Sequence, residues 1–235
     1  MRVVSPSAAH VAAVIAARGG SKGIPGKNLV DFCGRPLLEW SVEQARAATG
    51  VRNVWVTSDD AAILAAAERC GAQPIERPAE LATDEASSEA AWSHALDVIE
   101  QRDGPVDVVC ALQATSPLRE PSDIERALDT FAVEELDSLF SAGPLDDFLV
   151  WEREQDGTLR ALNYDPGARG RRQDRSVQYV ENGSFYLFRP AVLRDEGNRL
   201  GGRVGVSLMA FWKSFEIDDD EGLEMCSALM RRFLL

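Results

Sequence analysis

Short apolar runs alternate, along the first two-thirds of the chain, with segments that carry apolar residues on one helical face. Uninterrupted apolar runs are typical of strands that are buried on both faces of a parallel sheet. The predicted strands cover residues 11–17, 54–57, 73–75 and 106–112. The predicted helices between them cover residues 36–48, 61–70, 88–100 and 122–131. This alternation predicts an α/β fold with a mainly parallel sheet and helices on both faces.

The pattern changes after residue 137. Further strands are predicted at residues 138–142, 183–188, 204–209 and 214–217, and a C-terminal helix at 221–233. The chain between the first two of these strands reads as irregular or antiparallel and carries a basic stretch. A chain of 235 residues can bury a substantial core as one unit, so we expect a single domain over residues 1–235.

The most distinctive polar segments follow the predicted strands of the parallel sheet. They cover residues 18–28, 58–60, 76–88 and 113–119. Ligands of open α/β sheets bind beyond the carboxyl ends of the strands. The sequence therefore predicts one ligand site at this edge of the sheet.

The loop after the first strand combines glycines with positive charge. It reads ARGGSKGIPGKN over residues 17–28, where Lys22 and Lys27 are two of the chain's three lysines and Arg18 lies beside them. Glycines allow main-chain N–H groups to approach phosphate oxygens, and cations neutralise the phosphate charge. The loop predicts a polyanion site, the alternative being a tight turn that merely uses glycine. It is not a Walker A loop, because Asn28 follows Gly26-Lys27, and it does not match G-x-G-x-x-G.

Two later segments support this edge as a binding site, and each has a simpler interpretation. Gln113 directly follows the most apolar strand, where its amide could contact a base edge or a sugar hydroxyl. Alternatively, the segment is a Ser-Pro turn with an exposed Arg119. Residues 84–89 predict a helix start that Ser87 or Ser88 caps, and a helix start can also present groups to a ligand. A second helix start is predicted by the capping-box pattern of residues 122–125.

An acidic run near the C-terminus predicts a metal site. Glu216 and Asp218 flank an apolar residue at the end of a strand-like segment, so their side chains are expected to point the same way. Two carboxylates that face a triphosphate suit Mg²⁺, which prefers oxygen ligands and few protein groups. The alternative is a solvated turn at the start of the last helix.

Composition and charge restrict the class of partner. The formal charge of −13 argues against nucleic acid as a partner, because such binding needs a basic face. His10, in an expected N-terminal tail, and His94 are the only histidines, which disfavours a histidine metal centre or a catalytic triad. The four cysteines form no close pair and are expected to be buried free thiols in a reducing compartment. No signal peptide or apolar span is apparent, so no membrane partner and a cytoplasmic location are expected.

Taken together, these motifs resemble those of the CMP-N-acylneuraminate synthetases, the cytidylyltransferases that activate sialic acid and related nonulosonic acids. The likeness extends over residues 11–225. The similar segments are 17–28, Glu76-Arg77-Pro78, Ala86-Ser87-Ser88, 112–117, Arg171-Arg172-Gln173-Asp174, 181–186 and Ile217-Asp218. The resemblance implies a Rossmann-like fold of the nucleotide-diphospho-sugar transferase type. It also implies an excursion at residues 138–185 that makes contacts in a homodimer.

The resemblance also implies a role for each matching residue. CTP would be bound by Arg18, Gly19, Gly20, Ser21, Lys22, Lys27, Asn28, Arg77 and Ser88. The sugar-acid acceptor would be bound by Gln113, Ser116, Arg171, Arg172 and Asn182, and the partner subunit of the dimer could supply the arginines. Catalysis would rest on Arg18, Lys22, Gln113 and Asp218. The implied cofactor is Mg²⁺, held by Asp218 and Glu216.

Three other functions remain open at this point. The acceptor could be an octulosonic acid or a phosphonate rather than a sialic-acid-like sugar. The chain could instead be a regulatory protein that binds CTP without catalysis, although the acidic pair favours an enzyme. A dehydrogenase is remote, because the dinucleotide fingerprint is missing.

Overall fold

The computed structural model describes residues 9–145, 148–171, 173 and 176–235, and a seven-stranded sheet runs through the centre of this described part. Its strands, with those of two small hairpins, are β1 (Val11–Ala16), β2 (Asp31–Phe32), β3 (Arg35–Pro36), β4 (Val51–Ser58), β5 (Gln73–Glu76), β6 (Val108–Leu112), β7 (Ser138–Pro144), β8 (Trp151–Arg153), β9 (Leu159–Ala161), β10 (Tyr179–Phe188) and β11 (Val204–Leu208). The α-helices are α1 (Leu37–Ala47), α2 (Ala61–Arg69), α3 (Ser88–Asp103), α4 (Pro121–Val133), α5 (Pro190–Glu196) and α6 (Asp220–Phe233).

The main sheet has the order β11-β7-β10-β6-β1-β4-β5. β1 lies between β4 and β6 and pairs in parallel with both, and β5 extends the parallel part. β10 is antiparallel to both β6 and β7, so the sheet is mixed but mainly parallel. The predicted α/β fold is therefore confirmed, including strands β1, β4, β5 and β6 in the parallel part.

Alternate residues of β1 face two separate apolar layers. Ala13 and Ile15 pack with α1, α2 and α4, whereas Ala12 and Val14 pack with α3 and α5. All four of these side chains are fully buried. Such two-sided burial is why β1 is apolar without interruption, and it confirms that helices cover both faces of the sheet.

A third apolar layer fixes the position of the C-terminal segment. Cys226 and Met230 of α6 pack with Ile24, Leu118 and Ile217. Ile24 belongs to the glycine-rich loop, and Leu118 to the loop after β6. Burial of these side chains therefore holds three segments that are distant in sequence at one end of the sheet.

The N-cap of helix α4 lies two residues earlier than the predicted capping box places it. The N-cap is Glu120, whose N–H donates to the Asp123 carboxylate at 2.8 Å. The predicted pair does not cap the helix: Glu125 instead accepts a hydrogen bond from the Thr49 N–H at 2.7 Å. A proline at the first helical position, Pro121, favours the earlier start.

His10 is part of the folded domain and not of a tail, which corrects the prediction. Only 5% of it is exposed, and its N–H donates to the Asp107 carboxylate at 2.7 Å. Its Nδ1 lies 2.7 Å from the Pro105 carbonyl oxygen. The residue therefore ties the start of β1 to the segment that precedes β6.

Residues 138–185 contribute both to the main sheet and to structure outside it. The ends of this range form β7 and most of β10, while β8 and β9 form a separate antiparallel hairpin. Within the described ranges, every helix is too short or too polar to traverse a lipid bilayer.

Candidate active site

A cleft of about 540 Å³ opens at the carboxyl ends of the central strands. Its walls come from the loops after β1, β5 and β6, together with the segment before α6. It brings together nine of the residues predicted for the site: Arg18, Ser21, Lys22, Lys27, Asn28, Arg77, Ser88, Gln113 and Asp218. The edge that the sequence singles out is therefore a real concavity in the structure.

Two of the three cations of the glycine-rich loop meet one carboxylate. Arg18 Nη1 lies 2.8 Å from one Asp84 oxygen, and Lys22 Nζ lies 2.8 Å from the other. Arg18 also donates to the Thr83 carbonyl oxygen at 3.0 Å. Hydrogen bonds from Lys22 and Arg18 hold the pKa of Asp84 below its ordinary value. The loops after β1 and β5 are thus joined across the cleft by charge.

The third cation points to the opposite wall. Lys27 Nζ donates to an Asp218 carboxylate oxygen at 2.9 Å, and the lysine side chain is only 12% exposed. A Cβ at Gly23 would collide with the Asp218 carbonyl oxygen, so only glycine permits this approach of the loop to the C-terminal segment. The glycine-rich loop and the acidic segment are therefore in direct contact.

The first glycines of the loop turn away from the cleft. Gly19 and Gly20 lie outside its lining, and the Gly19 N–H donates to the Asp59 carboxylate at 3.0 Å. The Ser21 N–H donates to the Gly19 carbonyl oxygen at 3.1 Å, which closes a tight turn. A Cβ at Gly19 would come within 2.8 Å of an Asp60 carboxylate oxygen, so the backbone packs closely against the loop after β4. These residues shape the loop in this structure.

Asn28 and Arg77 line the cleft but are largely buried. The Asn28 amide donates to the Arg18 carbonyl oxygen at 2.9 Å and so holds the loop in place. Arg77 donates to the Thr57 carbonyl oxygen at 2.5 Å. Burial lowers the pKa of Arg77, and the Asp59 carboxylate opposes that shift. Each side chain thus supports the floor of the cleft as well as bordering it.

Arg119 lies beneath the loop that follows β6 and carries Gln113. It is 1% exposed, whereas the interpretation of this segment as a simple turn predicted an exposed arginine. Its guanidinium donates to the carbonyl oxygens of Gln113 and Ser116, the latter at 2.7 Å. The remaining N–H groups donate to Ser184 Oγ at 3.1 Å, Ser41 Oγ at 2.9 Å and Gln44 Oε1 at 3.3 Å. Burial lowers the pKa of Arg119 to about 10, so it stays cationic at neutral pH. One buried cation therefore fixes the loop that carries Gln113.

The segment that holds Glu216 is not the predicted strand. Residues Phe211–Ser214 form a 3-10 helix, and the chain then runs irregularly into α6. The Ile217 N–H donates to the Thr115 carbonyl oxygen at 2.8 Å, and the Ile217 side chain is fully buried. This anchor, rather than strand geometry, keeps Asp218 in the cleft lining, whereas the exposed Glu216 lies outside that lining.

The two carboxylates interact with each other and with Lys27. Desolvation raises the pKa of Glu216, the Asp218 charge adds to the shift, and Lys27 opposes it. Among the described residues, no group of three or more histidine, cysteine or carboxylate side chains is placed to hold a metal ion. Mg²⁺ commonly takes one or two protein carboxylates and completes its shell with water and substrate phosphates. The Glu216 and Asp218 pair fits that ligand set.

The family model for cytidylyltransferases matches residues 12–198. This chain belongs to the cytidylyltransferase family. It is 35% identical over 229 residues to N-acylneuraminate cytidylyltransferase A of Danio rerio, with 95% of this chain and 51% of the relative aligned. It is 34% identical over 180 residues to the pseudaminic acid cytidylyltransferase of Campylobacter jejuni subsp. jejuni strain 81-176, with 74% of this chain and 76% of the relative aligned. The chain thus spans about half the length of the Danio rerio relative.

The fold of this cytidylyltransferase family member recurs in solved structures. A CMP:2-keto-3-deoxy-manno-octonic acid synthetase, solved in complex with CTP, matches with a TM-score of 0.71 over 96% of this chain and 100% of that chain, at 20% identity. A cytidylyltransferase from Leptospira borgpetersenii matches with a TM-score of 0.62 over 97% of this chain and 89% of that chain, at 16% identity. At these identities the likeness concerns the fold alone, which is the Rossmann-like α/β fold.

The residues predicted for the sugar are dispersed in the structure, apart from Gln113. Ser116 and Asn182 are buried outside the cleft lining, where Asn182 accepts a hydrogen bond from Ser141 Oγ at 2.6 Å. Arg171 is exposed and lies outside the lining as well. Arg172 lies outside the described residues.

Sequence reasoning missed two residues that line the cleft. Asp84, taken as an acidic neighbour of a helix start, contacts Arg18 and Lys22. Trp92 forms part of the wall on α3, and Arg199 stacks on its ring at 4.6 Å. Helical periodicity marks Trp92 only as a core residue, and the charge of Asp84 has a sufficient explanation at a helix start, so neither carried a distinguishing signal.

Proposed function

We propose that this chain activates a sialic-acid-like 2-keto-3-deoxy sugar acid with CTP and yields the CMP-sugar and pyrophosphate. The observation that carries the proposal is the cleft in which Arg18, Lys22 and Lys27 meet Gln113 and Asp218. Three cations suit a polyphosphate, an amide suits sugar hydroxyls, and a carboxylate suits a divalent cation. The activities named for the two relatives support the same chemistry.

In this proposal the triphosphate lies against the glycine-rich loop. Arg18 and Lys22 are exposed enough to reach it, with 34% and 76% of their side chains accessible. Lys27 and Ser21 would complete the phosphate contacts. Gly19 and Gly20 would act by shaping the loop, because the Gly19 N–H already donates to the Asp59 carboxylate. Asn28, Arg77 and Ser88 would hold the ribose or the base from the floor and the α3 start.

The reaction is an in-line displacement at phosphorus. The anomeric hydroxyl oxygen of the sugar acid attacks the α-phosphorus of CTP, and its proton is lost. The bond from the α-phosphorus to the oxygen that bridges to the β-phosphorus breaks, and pyrophosphate leaves. Arg18 and Lys22 stabilise the charge that accumulates on the leaving group, so positioning and charge neutralisation supply most of the catalysis.

Mg²⁺ is part of the proposal, with Asp218 as its protein ligand and Glu216 beside it. When bound, this ion would neutralise phosphate charge and lower the pKa of the attacking hydroxyl group. Lys27 already contacts Asp218 at 2.9 Å, so the lysine would orient the carboxylate toward the phosphates. Desolvation and then the Asp218 charge raise the pKa of Glu216, which fits a second carboxylate that lies beside the first.

The acceptor would lie on the Gln113 side of the cleft. Gln113 lines the cleft and would hydrogen-bond the sugar acid. Ser116 and Asn182 would contribute from the packing beneath and beside that loop. Arg171 and Arg172 would hold the sugar acid or pyrophosphate across the interface of a homodimer.

A homodimer and a cytoplasmic location complete the proposal. The β8–β9 hairpin and its flanks expose several large apolar side chains, namely Val150, Trp151, Leu159, Leu162 and Val177. Apolar groups gathered on one excursion favour burial against a second copy. The four cysteines are free thiols, which a reducing compartment preserves.

The test is CTP-dependent pyrophosphate release with a panel of acceptors. The panel contains sialic and pseudaminic acids, an octulosonic acid and a phosphonate, with ATP, GTP and UTP as nucleotide controls. Turnover with a nonulosonic acid and CTP supports the proposal. Preference for the octulosonic acid or the phosphonate would reassign the acceptor. CTP binding without pyrophosphate release from any acceptor would identify a regulatory protein instead.

A further inference from the structure

Asp84 forms ion pairs with both exposed cations of the glycine-rich loop at once. Each of its carboxylate oxygens takes one partner, Arg18 on one side and Lys22 on the other, and both distances are 2.8 Å. The aspartate side chain is 49% exposed at the mouth of the cleft that it lines. The carboxylate therefore sits on the groups that a polyphosphate would use.

Helix α3 does not depend on Asp84. The N-cap of that helix is Ser87, whose Oγ accepts a hydrogen bond from the Ala90 N–H at 3.1 Å. The turn before it is closed by the Ala86 N–H, which donates to the Thr83 carbonyl oxygen at 3.3 Å. The described side-chain contacts of Asp84 instead cross the cleft to the loop after β1. Its position is thus explained by the cations it meets rather than by the helix start.

The ion pairs of Asp84 with Arg18 and Lys22 are weak enough for a ligand to displace them. Exposed ion pairs contribute little to stability, so two of them hold the cations without locking the cleft. Phosphate oxygens form stronger charge-assisted hydrogen bonds with arginine and lysine, and a polyphosphate offers more of them than one carboxylate does. A polyphosphate can therefore replace Asp84, whereas a small weak anion gains little by doing so.

We propose that Asp84 is an internal competitor of the polyphosphate. It holds Arg18 and Lys22 in the empty cleft, gives them up when the nucleotide enters, and takes them back as pyrophosphate leaves. This inference rests on the proposed function only in assigning a polyphosphate to the glycine-rich loop. Its consequence is that Asp84 weakens pyrophosphate binding and so limits product inhibition.

The direct test is calorimetric titration of inorganic pyrophosphate, without acceptor or nucleotide, into the wild-type chain and the variants Asp84→Asn and Asp84→Ala. We expect both variants to bind pyrophosphate about fivefold to tenfold more tightly, which is the scale of two exposed ion pairs. Two variants are used because asparagine retains a weak acceptor whereas alanine does not.

Glu85→Gln is the matched control, because it removes the same charge from the neighbouring exposed residue. Its affinity for pyrophosphate should stay within about twofold of wild type, since exposed charges without direct contact are screened. Unchanged or weaker binding by both Asp84 variants would overturn the inference. An equal gain in Glu85→Gln would also overturn it, because general charge removal would then explain the effect.

The outcome is separable from that of the proposed function. Pyrophosphate binding requires no sugar acid, so the competitor role can hold even if no acceptor on the panel is turned over. Where turnover is found, pyrophosphate should inhibit Asp84→Asn at lower concentration than wild type. Turnover with identical pyrophosphate inhibition in the two proteins would refute the role of Asp84 and leave the proposed function intact.

Discussion

Replacement of Arg119 by methionine tests whether one buried cation holds the Gln113 loop. The variant keeps an unbranched side chain of similar reach but removes every N–H donor. The carbonyl oxygens of Gln113 and Ser116 and the amide oxygen of Gln44 then lose a hydrogen-bond partner. The serine hydroxyls at 41 and 184 can rotate to other partners and are affected less.

The expected size of the effect follows from two opposing terms. Loss of three hydrogen bonds from a charged donor costs about 1.5–3 kcal/mol each, or about 6 kcal/mol in total. The Gln113 carbonyl oxygen keeps the Ser116 N–H as a donor at 3.3 Å. Burial holds the pKa of Arg119 at about 10 instead of 12.5, which corresponds to a desolvation cost of about 3 kcal/mol that the variant escapes. We therefore expect a net destabilisation of about 3 kcal/mol, or about 6–12 °C in Tm for a chain of this size.

Urea unfolding followed by circular dichroism at pH 7 measures this difference, with thermal unfolding as a second readout. Arg119→Lys should give an intermediate loss, because lysine keeps the charge but has three donors in place of five. Arg194→Met is the control, since Arg194 is an exposed arginine that pairs with Asp97 and Glu100 on α3, and it should cost less than about 1 kcal/mol. If the stability of Arg119→Met lay within about 1 kcal/mol of wild type, or matched that of the control, Arg119 would not hold the Gln113 loop as proposed.

Four shorter predictions address the site and the assembly. Lys22→Ala should lower the rate of pyrophosphate release about 100-fold or more, because it removes charge that faces the leaving group, and a wild-type rate would contradict that role. Asp218→Asn should raise the Mg²⁺ concentration needed for half-maximal activity, and an unchanged metal titration would exclude ligation. The folded-state pKa of Glu216 is raised, so its contribution to stability is present below pH 4.5 and is lost as pH rises through the folded value. Glu216→Gln should therefore weaken the dependence of the urea unfolding midpoint on pH above 4.5. The same pH dependence in the variant and the wild type would refute this. Sedimentation at micromolar concentration should find a dimer, and a monomer would remove any arginine supplied by a partner.

Local pattern was enough to predict the parallel part of the sheet. β1 and β6 are apolar because each is buried on both faces, and a single sequence records that requirement directly. The glycine-rich loop could also be recognised as part of a site from its sequence, because its composition reflects close backbone approach and positive charge. Gly23 shows the reason, since any larger residue there would collide with the Asp218 backbone.

Tertiary packing decided what periodicity and composition do not encode. Arg119 reads as a surface arginine, and only the convergence of α1, β10 and the loop after β6 buries it among acceptors. Residues 214–217 have the apolar alternation of a strand, but no neighbouring strand offers them hydrogen bonds in the described part of the chain, so they follow the Ile217 anchor instead. The Asp84 bridge joins loops that are more than sixty residues apart. Sequence alone thus determined which segments must be buried and predicted which loop would bind phosphate, because those are local requirements. The structure decided which charges meet, because that depends on how distant segments pack.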